Sequence, residues 1–270
     1  MLNKRPKILL TNDDGILAPG LKCLWETLRK SDFADIVIAA PSQERSGTGV
    51  SITWDRPLLI KQVNWVDETP AWSIDGTPAD CVKMAIRVIL DSPPDLILSG
   101  VNAGSNAGRN VLHSGTVGAV IEGVLRNIPG IAFSCESERN PNFHVAQKYI
   151  VSIVEFILRH PMEPGCFLNV NFPKVADDLV RGFKFTRQGK GRWGEDPALH
   201  LSSKNGKSYW LGGKPEELEE EEECDISYLR RGFLTAVPIH VHELTSMNEL
   251  NKRKMEFEEY LLKENGKILC

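Results

Sequence analysis

The sequence contains no long hydrophobic run, although 41% of its 270 residues are hydrophobic. A helix that spans a membrane needs about 20 consecutive apolar residues, and no run in this chain approaches that length. The first segment, MLNKRPKILLTNDDG, has only a short apolar run before polar residues, which is too short for the core of a secretory signal. We therefore expect a cytoplasmic protein with no membrane partner.

Paired cysteines and an excess of basic residues are also missing. None of the six cysteines forms the CxxC spacing of a zinc site or a disulfide framework, so we expect reduced thiols in the interior. The net charge of −4 does not favour binding to a nucleic-acid duplex. The chain has no P-loop, no GxGxxG motif and no GxSxG nucleophile elbow, which argues against three common classes of nucleotide-binding protein and hydrolase.

Short apolar runs alternate with helical patterns over residues 1–175. Strands are expected at 7–11, 34–40, 94–100 and 130–135, and helices at 19–30, 77–90 and 115–126. This alternation predicts an α/β fold: a Rossmann-like, doubly wound and mostly parallel sheet that forms a catalytic core. Because ligands bind beyond the carboxyl ends of parallel strands, the loops that follow these strands should carry the site.

The pattern changes after residue 175, and residues 176–270 are expected to form a C-terminal β-hairpin or arm region. The stretches FKFTRQGKGRWGED and GKSYWLGG are typical of hairpin or arm strands. A further strand is expected within 232–244, and a terminal helix over 246–264 that begins with a Ser246–Glu249 capping box. The acidic run at 215–223 is expected to be a solvated loop.

The first predicted strand is followed by two adjacent carboxylates, Asp13 and Asp14, and then by a glycine. Neighbouring like charges repel, and each carboxyl resists ionisation beside the other unless a cation lies between them. A turn built on the Asp-Gly pair explains one of the two residues without any ligand. Alone, this stretch leaves both a turn and a divalent-cation site open.

Two other loops that are predicted on the same edge of the sheet supply neutral oxygens. Ser46 offers a hydroxyl in RSG, and SGVNAGSNAG offers the amides of Asn102 and Asn106. Hard cations such as Mg²⁺ and Mn²⁺ prefer carboxylate, amide and hydroxyl oxygens. Three such loops on one edge favour a metal site over three unrelated turns.

Ser114, Gly115 and Thr116 stand at the predicted N-terminus of the helix over 115–126. Free backbone N–H groups and the helix dipole favour phosphate there, whereas plain N-capping by Ser114 is the alternative. Beside a cation, a phosphate pocket is the better interpretation, because both would hold the same anionic group.

Six blocks of the sequence, in order, resemble the survival protein E family of 5′/3′-nucleotidases, also called stationary-phase survival proteins. The resemblance spans about residues 7–245. It is carried by LLTNDDG and APG (9–20), APSQERSG (40–47), GTPADCV (76–82), PDLILSGVNAGSNAG (94–108), HSGTVGAVIEG (113–123) and PIHVHELT (238–245).

The resemblance implies a Rossmann-like, metal-dependent phosphomonoesterase that acts on nucleoside 5′- and 3′-monophosphates with one Mg²⁺ or Mn²⁺ per subunit. It also implies a dimer or tetramer held together by the C-terminal arm. The family's metal ligands fall on Asp13, Asp14, Ser46 and Asn102, and its phosphate contacts on Asn106, Ser114, Gly115 and Thr116. Asp13 and Asp14 are also our candidates for the catalytic residues, because either carboxylate could orient a water or accept its proton.

Two residues depart from the family pattern: Ser105 stands where many members have proline, and Leu17 stands at a position that is often polar. Two other functions stay open at this point. One is a broader acid phosphatase that also acts as an exopolyphosphatase, and the other is a non-catalytic nucleotide-binding protein. The sequence also leaves open which of the two aspartates handles the proton of the attacking water.

Overall fold

Strands from both halves of the chain build one central sheet. The structure is a computed structural model, and it describes residues 5–137, 141–194, 197–203, 206–210, 215–216 and 223–265. The strands in chain order are β1 (Lys7–Thr11), β2 (Asp35–Pro41), β3 (Ile60–Gln62), β4 (Ala71–Ile74), β5 (Leu96–Ala103), β6 (Gly130–Cys135), β7 (Cys166–Phe172), β8 (Phe183–Phe185), β9 (Arg192–Trp193), β10 (Ala198–Ser203), β11 (Gly206–Trp210), β12 (Pro215–Glu216) and β13 (Leu234–His240).

The central sheet has the strand order β3-β4-β2-β1-β5-β6-β7-β13-β8. The strands from β4 to β7 run parallel to one another, whereas β3 and β13 run antiparallel to their neighbours β4 and β7. From β1 the chain moves to β2 on one side and later to β5 on the other. The order therefore switches direction between β1 and β5, and such a switch opens a crevice at the carboxyl ends of the strands.

Helices cover both faces of this sheet. They are α1 (Pro19–Ser31), α2 (Pro78–Met84), α3 (Gly115–Val124), α4 (Phe143–Arg159) and α5 (Asp225–Arg230). A further helix, α6 (Met247–Asn265), is exposed along its described side chains. Ile8 and Leu10 of β1 pack in the cluster that contains the buried residues of α1 and α4, whereas Leu9 packs in the cluster that contains those of α2 and Ala119 of α3. Because alternate residues of a strand face opposite sides, this pattern confirms the predicted doubly wound α/β fold.

The strands and helices predicted within the first 135 residues are present, with small shifts at their ends. The strand predicted at 94–100 continues to Ala103, and the helix predicted over 77–90 is α-helical only to Met84 before a π-helical turn. Neither α4 nor β7 is predicted above, although the buried residues of α4, among them Val145, Ile150 and Val154, recur at helical spacing.

The C-terminal region differs from the prediction at β8. Phe183–Phe185 was expected in a hairpin arm, but β8 instead pairs in parallel with β13 at the edge of the central sheet, so that expectation is wrong. The unpaired backbone groups of β13 explain the difference, because a sheet edge accepts a further strand. The hairpin is formed by β10 and β11, and the stretch GKSYWLGG supplies its second strand.

The division of the chain at residue 175 stays a prediction, since the central sheet continues beyond it through β13 and β8. Residues 217–222 of the acidic run lie outside the described residues. α6 follows Ser246, whose hydroxyl accepts the Glu249 N–H at 3.4 Å, but the Glu249 carboxylate pairs with Arg253 at 2.5 Å, so only half of the predicted capping box forms. None of the helices in the described part of the chain has the length and hydrophobicity that a membrane span requires.

The start of α2 allows a first prediction, about stability. The Thr77 hydroxyl accepts the Asp80 N–H at 3.1 Å, and the Asp80 carboxylate accepts the Thr77 N–H at 2.9 Å. We expect Thr77→Ala to lower the free energy of unfolding by about 1 kcal/mol, because an N-cap acceptor is lost. Thr77→Ser keeps the hydroxyl and should stay close to wild type in urea unfolding. Equal destabilisation by both variants would contradict this role.

Candidate active site

One cavity of about 900 Å³ lies where β1 and β5 end, at the switch point of the sheet. The structure brings six of the eight predicted site residues to its wall, from four loops that are far apart in the sequence. They are Asp13, Asp14, Ser46, Asn102, Asn106 and Ser114. The other two, Gly115 and Thr116, are the next residues, at the start of α3. They contact Asp13 but do not line the cavity.

The side chain of Asn12 fixes the turn that follows β1. The Asn12 amide nitrogen donates to the Gly15 carbonyl at 2.9 Å, and its amide oxygen accepts the Gly15 N–H at 3.3 Å. Gly15 has a φ of 105°, a conformation that side chains with a Cβ rarely adopt. The Arg45 N–H donates to the Asp13 carbonyl at 2.7 Å, so the loop that carries Ser46 is tied directly to this turn.

Asp13 is the buried carboxylate of the site, with only 4% of its surface exposed. The Thr116 hydroxyl donates a hydrogen bond to its Oδ1. Burial raises the pKa of Asp13 to about 6, with a smaller contribution from the charge of Asp14, while the hydrogen bond from Thr116 acts in the opposite direction. The negative charge of Asp13 is therefore poorly solvated, and a nearby cation would stabilise it.

Asp14 is more open to the cavity than Asp13. Burial raises its pKa, the Ala103 N–H that donates to Oδ2 at 3.4 Å lowers it, and the charge of Glu44 raises it. Asn102, at the end of β5, donates from its amide nitrogen to the Gly104 carbonyl at 2.8 Å. That bond leaves the Asn102 amide oxygen as the group available to a ligand.

Ser46 lies on the exposed loop that follows β2. Its hydroxyl donates to the Glu44 carboxylate at 2.9 Å, and Glu44 also lines the cavity. The loop is held from outside by Arg45, whose guanidinium pairs with Asp75 at 3.2 Å. The hydroxyl oxygen of Ser46 keeps lone pairs for a cation, and Glu44 adds negative charge beside it.

The N-terminus of α3 abuts Asp13. Ser114 is the N-cap residue, and its hydroxyl accepts the Val117 N–H at 3.1 Å. A Cβ on Gly115 would lie 2.8 Å from the Cβ and 3.0 Å from the Oδ2 of Asp13, so only glycine fits at this position with Asp13 where it is. The helix terminus and the buried carboxylate are thus fixed against each other.

The donor set can be compared with what a hard divalent cation needs. Two carboxylates, one hydroxyl and one amide oxygen meet at one cavity, and these are the oxygen ligands that Mg²⁺ and Mn²⁺ prefer. Within the described part of the chain, no three His, Cys, Asp or Glu side chains are grouped so that they could hold a metal ion. A cation at Asp13 and Asp14 would therefore depend on Ser46 and Asn102 for further ligands, and these residues fit that need.

Glu44 and Phe143 also line the cavity, and neither is among the predicted site residues. Glu44 lies two residues before Ser46, and a carboxylate so close to a predicted ligand is a signal that could have identified it. Phe143 begins α4 and lines the cavity together with Ala18 and Pro19, which gives the cavity an apolar side. No local motif marks Phe143, because the fold brings it to the site from a distant part of the sequence.

Three comparisons with known proteins agree with one another. The sequence profile described as "Survival protein SurE" matches residues 8–195. The chain is 46% identical over 263 residues to a protein named 5′-nucleotidase SurE from Protochlamydia amoebophila (strain UWE25), which covers 96% of this chain and 100% of the relative. A 5′-nucleotidase SurE from Heliobacterium modesticaldum is 37% identical and covers 87% of this chain and 86% of the relative.

The fold agrees with these sequence relationships. The crystal structure of the SurE protein from Aquifex aeolicus superposes with a TM-score of 0.79 at 35% sequence identity, and the match covers 93% of this chain and 100% of that one. The resemblance seen in the six sequence blocks is therefore confirmed, and the chain belongs to the survival protein SurE family.

Proposed function

We propose that this chain is a 5′-nucleotidase that hydrolyses nucleoside 5′-monophosphates, and also 3′-monophosphates, to a nucleoside and phosphate. The observation that carries the proposal is the meeting of a buried aspartate, an open aspartate and a helix N-terminus at one cavity. Relatives that share nearly the whole length of the chain and are named 5′-nucleotidase support it. The cavity volume of about 900 Å³ is sufficient for a nucleotide.

Asp13, Asp14, Ser46 and Asn102 would hold one Mg²⁺ or Mn²⁺ per subunit. Such a cation, when bound, polarises a phosphate oxygen and lowers the pKa of a nearby water. The raised pKa of Asp13 supports this assignment, because the same burial that disfavours the carboxylate makes a positive charge beside it more stabilising.

The two aspartates differ in environment, and we assign them different roles. Asp13 is buried and held by the Thr116 hydroxyl, so its position is fixed and its role is to bind the cation. Asp14 is more open, and its contact with the Ala103 N–H is long at 3.4 Å, which leaves lone pairs free toward the cavity. Asp14 is therefore the aspartate that orients the attacking water and accepts its proton.

Phosphate would be held by Asn106 and by the N-terminus of α3. One N–H of the Asn106 amide donates to the Ser134 hydroxyl at 2.7 Å, and the second is left for a phosphate oxygen. Ser114 uses its hydroxyl as the cap of α3, and the hydroxyl of Thr116 is bound to Asp13. The contribution of this helix terminus to phosphate binding would therefore come from its free backbone N–H groups, that of Gly115 among them, and not from the two hydroxyls.

The apolar side of the cavity would hold the nucleoside. Ala18, Pro19 and Phe143 offer surfaces against which a sugar or a base can pack. Stacking on an aromatic ring does not discriminate strongly between bases, because every base has a π-face. We therefore expect several nucleoside monophosphates to be substrates.

Self-association through the C-terminal region is also proposed, as a dimer or tetramer. Leu250, Phe257 and Leu261 recur on one face of α6 and are at least 38% exposed, and Trp210 of the hairpin is 66% exposed. Apolar faces of this kind are covered in soluble assemblies.

A cytoplasmic location is also proposed. It fits the free thiols of the five described cysteines.

The function is tested by a panel of AMP, GMP, 3′-AMP, short polyphosphate and a generic aryl phosphate, each with Mg²⁺, Mn²⁺ or EDTA. We expect kcat/KM to be highest for the nucleoside monophosphates, and EDTA to remove the activity. A higher value for polyphosphate or the aryl phosphate would favour the broader phosphatase, and nucleotide binding without phosphate release would favour a binding protein.

Asp13→Asn should lower kcat by about a hundredfold or more, because loss of a direct metal ligand lowers activity more than loss of a residue that only orients a ligand.

The contact between α3 and Asp13 provides a second test of the site. Gly115→Ala would place a methyl group 2.8 Å from the Asp13 Cβ, so Asp13 must move, and we expect kcat to fall by at least about tenfold. Gly123→Ala, in the same helix, would clash only with the flexible end of the Ile97 side chain and should affect thermal stability but not kcat. Equal kcat in the two variants would contradict the proposed role of this contact.

The assembly is tested by a charge on the apolar face of α6. We expect Phe257→Glu to shift the molecular mass measured by light scattering toward the monomer, because a buried apolar contact between subunits would be lost. Lys252→Glu makes a charge change on the same helix at a polar position and should leave the mass unchanged. A monomeric wild-type protein would refute self-association.

A further inference from the structure

Two asparagines lie in the middle of β7, where a central strand normally carries apolar residues. Asn169 and Asn171 are both fully buried, on the same side of the strand, within CFLNVNF. A buried amide destabilises a protein unless its polar atoms find partners, so each such residue calls for an explanation.

Both amides bind the backbone of Asn106, one at each end. The Asn171 Oδ1 accepts the Asn106 N–H at 2.8 Å, and the Asn169 Nδ2 donates to the Asn106 carbonyl at 2.9 Å. A backbone N–H can only donate and a carbonyl can only accept, so these partners fix the orientation of both amides. The Asn106 side chain is held in turn by Ser134 of β6, which pairs with Asn171 in the sheet.

The other end of each amide has no such partner. The Nδ2 of Asn171 and the Oδ1 of Asn169 are buried, and neither makes a hydrogen bond with any described residue. Each side chain therefore bears the cost of burying an unpaired polar atom, while its bonded end serves Asn106 alone or with its neighbour Ser105. A purely structural position on this strand would be filled better by an apolar residue.

We infer that Asn169 and Asn171 are positioning residues that hold Asn106 in place for phosphate, an inference that rests on the proposed function. Asn106 follows β5 in a loop, and a loop residue alone could not fix its amide accurately. The two asparagines attach that loop to a rigid central strand, which is the kind of support that a binding group requires.

Ser105 strengthens this attachment in the present chain. Its hydroxyl donates to the same Asn171 Oδ1 at 3.2 Å, so that oxygen accepts two hydrogen bonds from consecutive residues of the loop. The hydroxyl also accepts the Ala107 N–H at 3.2 Å. A proline at position 105 has neither a hydroxyl nor a backbone N–H, so these contacts depend on the serine found here.

Asn-to-Asp variants at the two positions make a matched test. Asn171→Asp keeps the accepting oxygen and loses only the amide nitrogen that has no partner. Asn169→Asp replaces the donor by an oxygen that faces the Asn106 carbonyl. Both variants add one carboxyl group to the same side of the same strand, two residues apart, so a difference between them reports the hydrogen-bond role and not the added charge.

Two readouts are measured on the full-length protein: kcat for AMP, and hydrogen exchange of the segment 103–108 followed by mass spectrometry without nucleotide. We expect Asn171→Asp to stay closer to the wild type than Asn169→Asp in both. Asn169→Asp, and likewise Asn171→Leu, should lower kcat between about tenfold and a hundredfold and accelerate exchange of the segment. Rescue by Asp at position 171 but not at position 169 is the signature of positioning.

Equal behaviour of the two folded Asp variants, whether both are normal or both impaired, would overturn the inference. So would an unchanged exchange rate in Asn169→Asp. If both Asp variants failed to fold, wild-type kcat and exchange in Asn171→Leu would overturn it instead. If the wild-type protein hydrolysed no nucleotide at all, the proposed function would fail, whereas the exchange data would still decide whether the two asparagines hold the Asn106 loop.

Discussion

The burial of one carboxylate is the constraint on which the site depends. Asp13 is held almost out of water, its pKa is raised to about 6, and a second aspartate follows it directly. Two carboxylates in such a place destabilise the fold unless something compensates for them. The Thr116 hydroxyl supplies part of that compensation, and a cation between the carboxylates would supply the rest. The neutral oxygens of Ser46 and Asn102 lie on the same cavity and complete this environment.

The fold explains how four distant loops meet around this carboxylate. The strand order changes direction between β1 and β5, so the turn that carries Asp13 and the end of β5 that carries Asn102 lie side by side. The N-terminus of α3 lies against Asp13, and Gly115 allows the helix and this carboxylate to approach closely. The loop with Asn106 is fastened to β7 by two buried amides. Each part of the site thus rests on the central sheet or on a helix packed against it.

Many of the strands and helix ends that position the site could be predicted from the sequence, because short sequence patterns mark them. The apolar runs before TNDDG and within PDLILSG predict β1 and β5, and Thr77 with Asp80 predicts the start of α2. The roles of Phe143, Asn169 and Asn171 could not be predicted in this way, because they depend on contacts with residues that are distant in sequence. For the same reason the pairing of Phe183–Phe185 with β13 could not be predicted: nothing local distinguishes an edge strand from a hairpin strand.

We propose that Asp13 and Asp14 hold a divalent cation between them. The most direct measurement is a crystal structure of the full-length protein grown with Mn²⁺, in which anomalous scattering locates the manganese. We expect one manganese per chain, bound to the carboxylates of Asp13 and Asp14, and its loss in Asp13→Asn. Diffraction data that show no manganese at these carboxylates would contradict it.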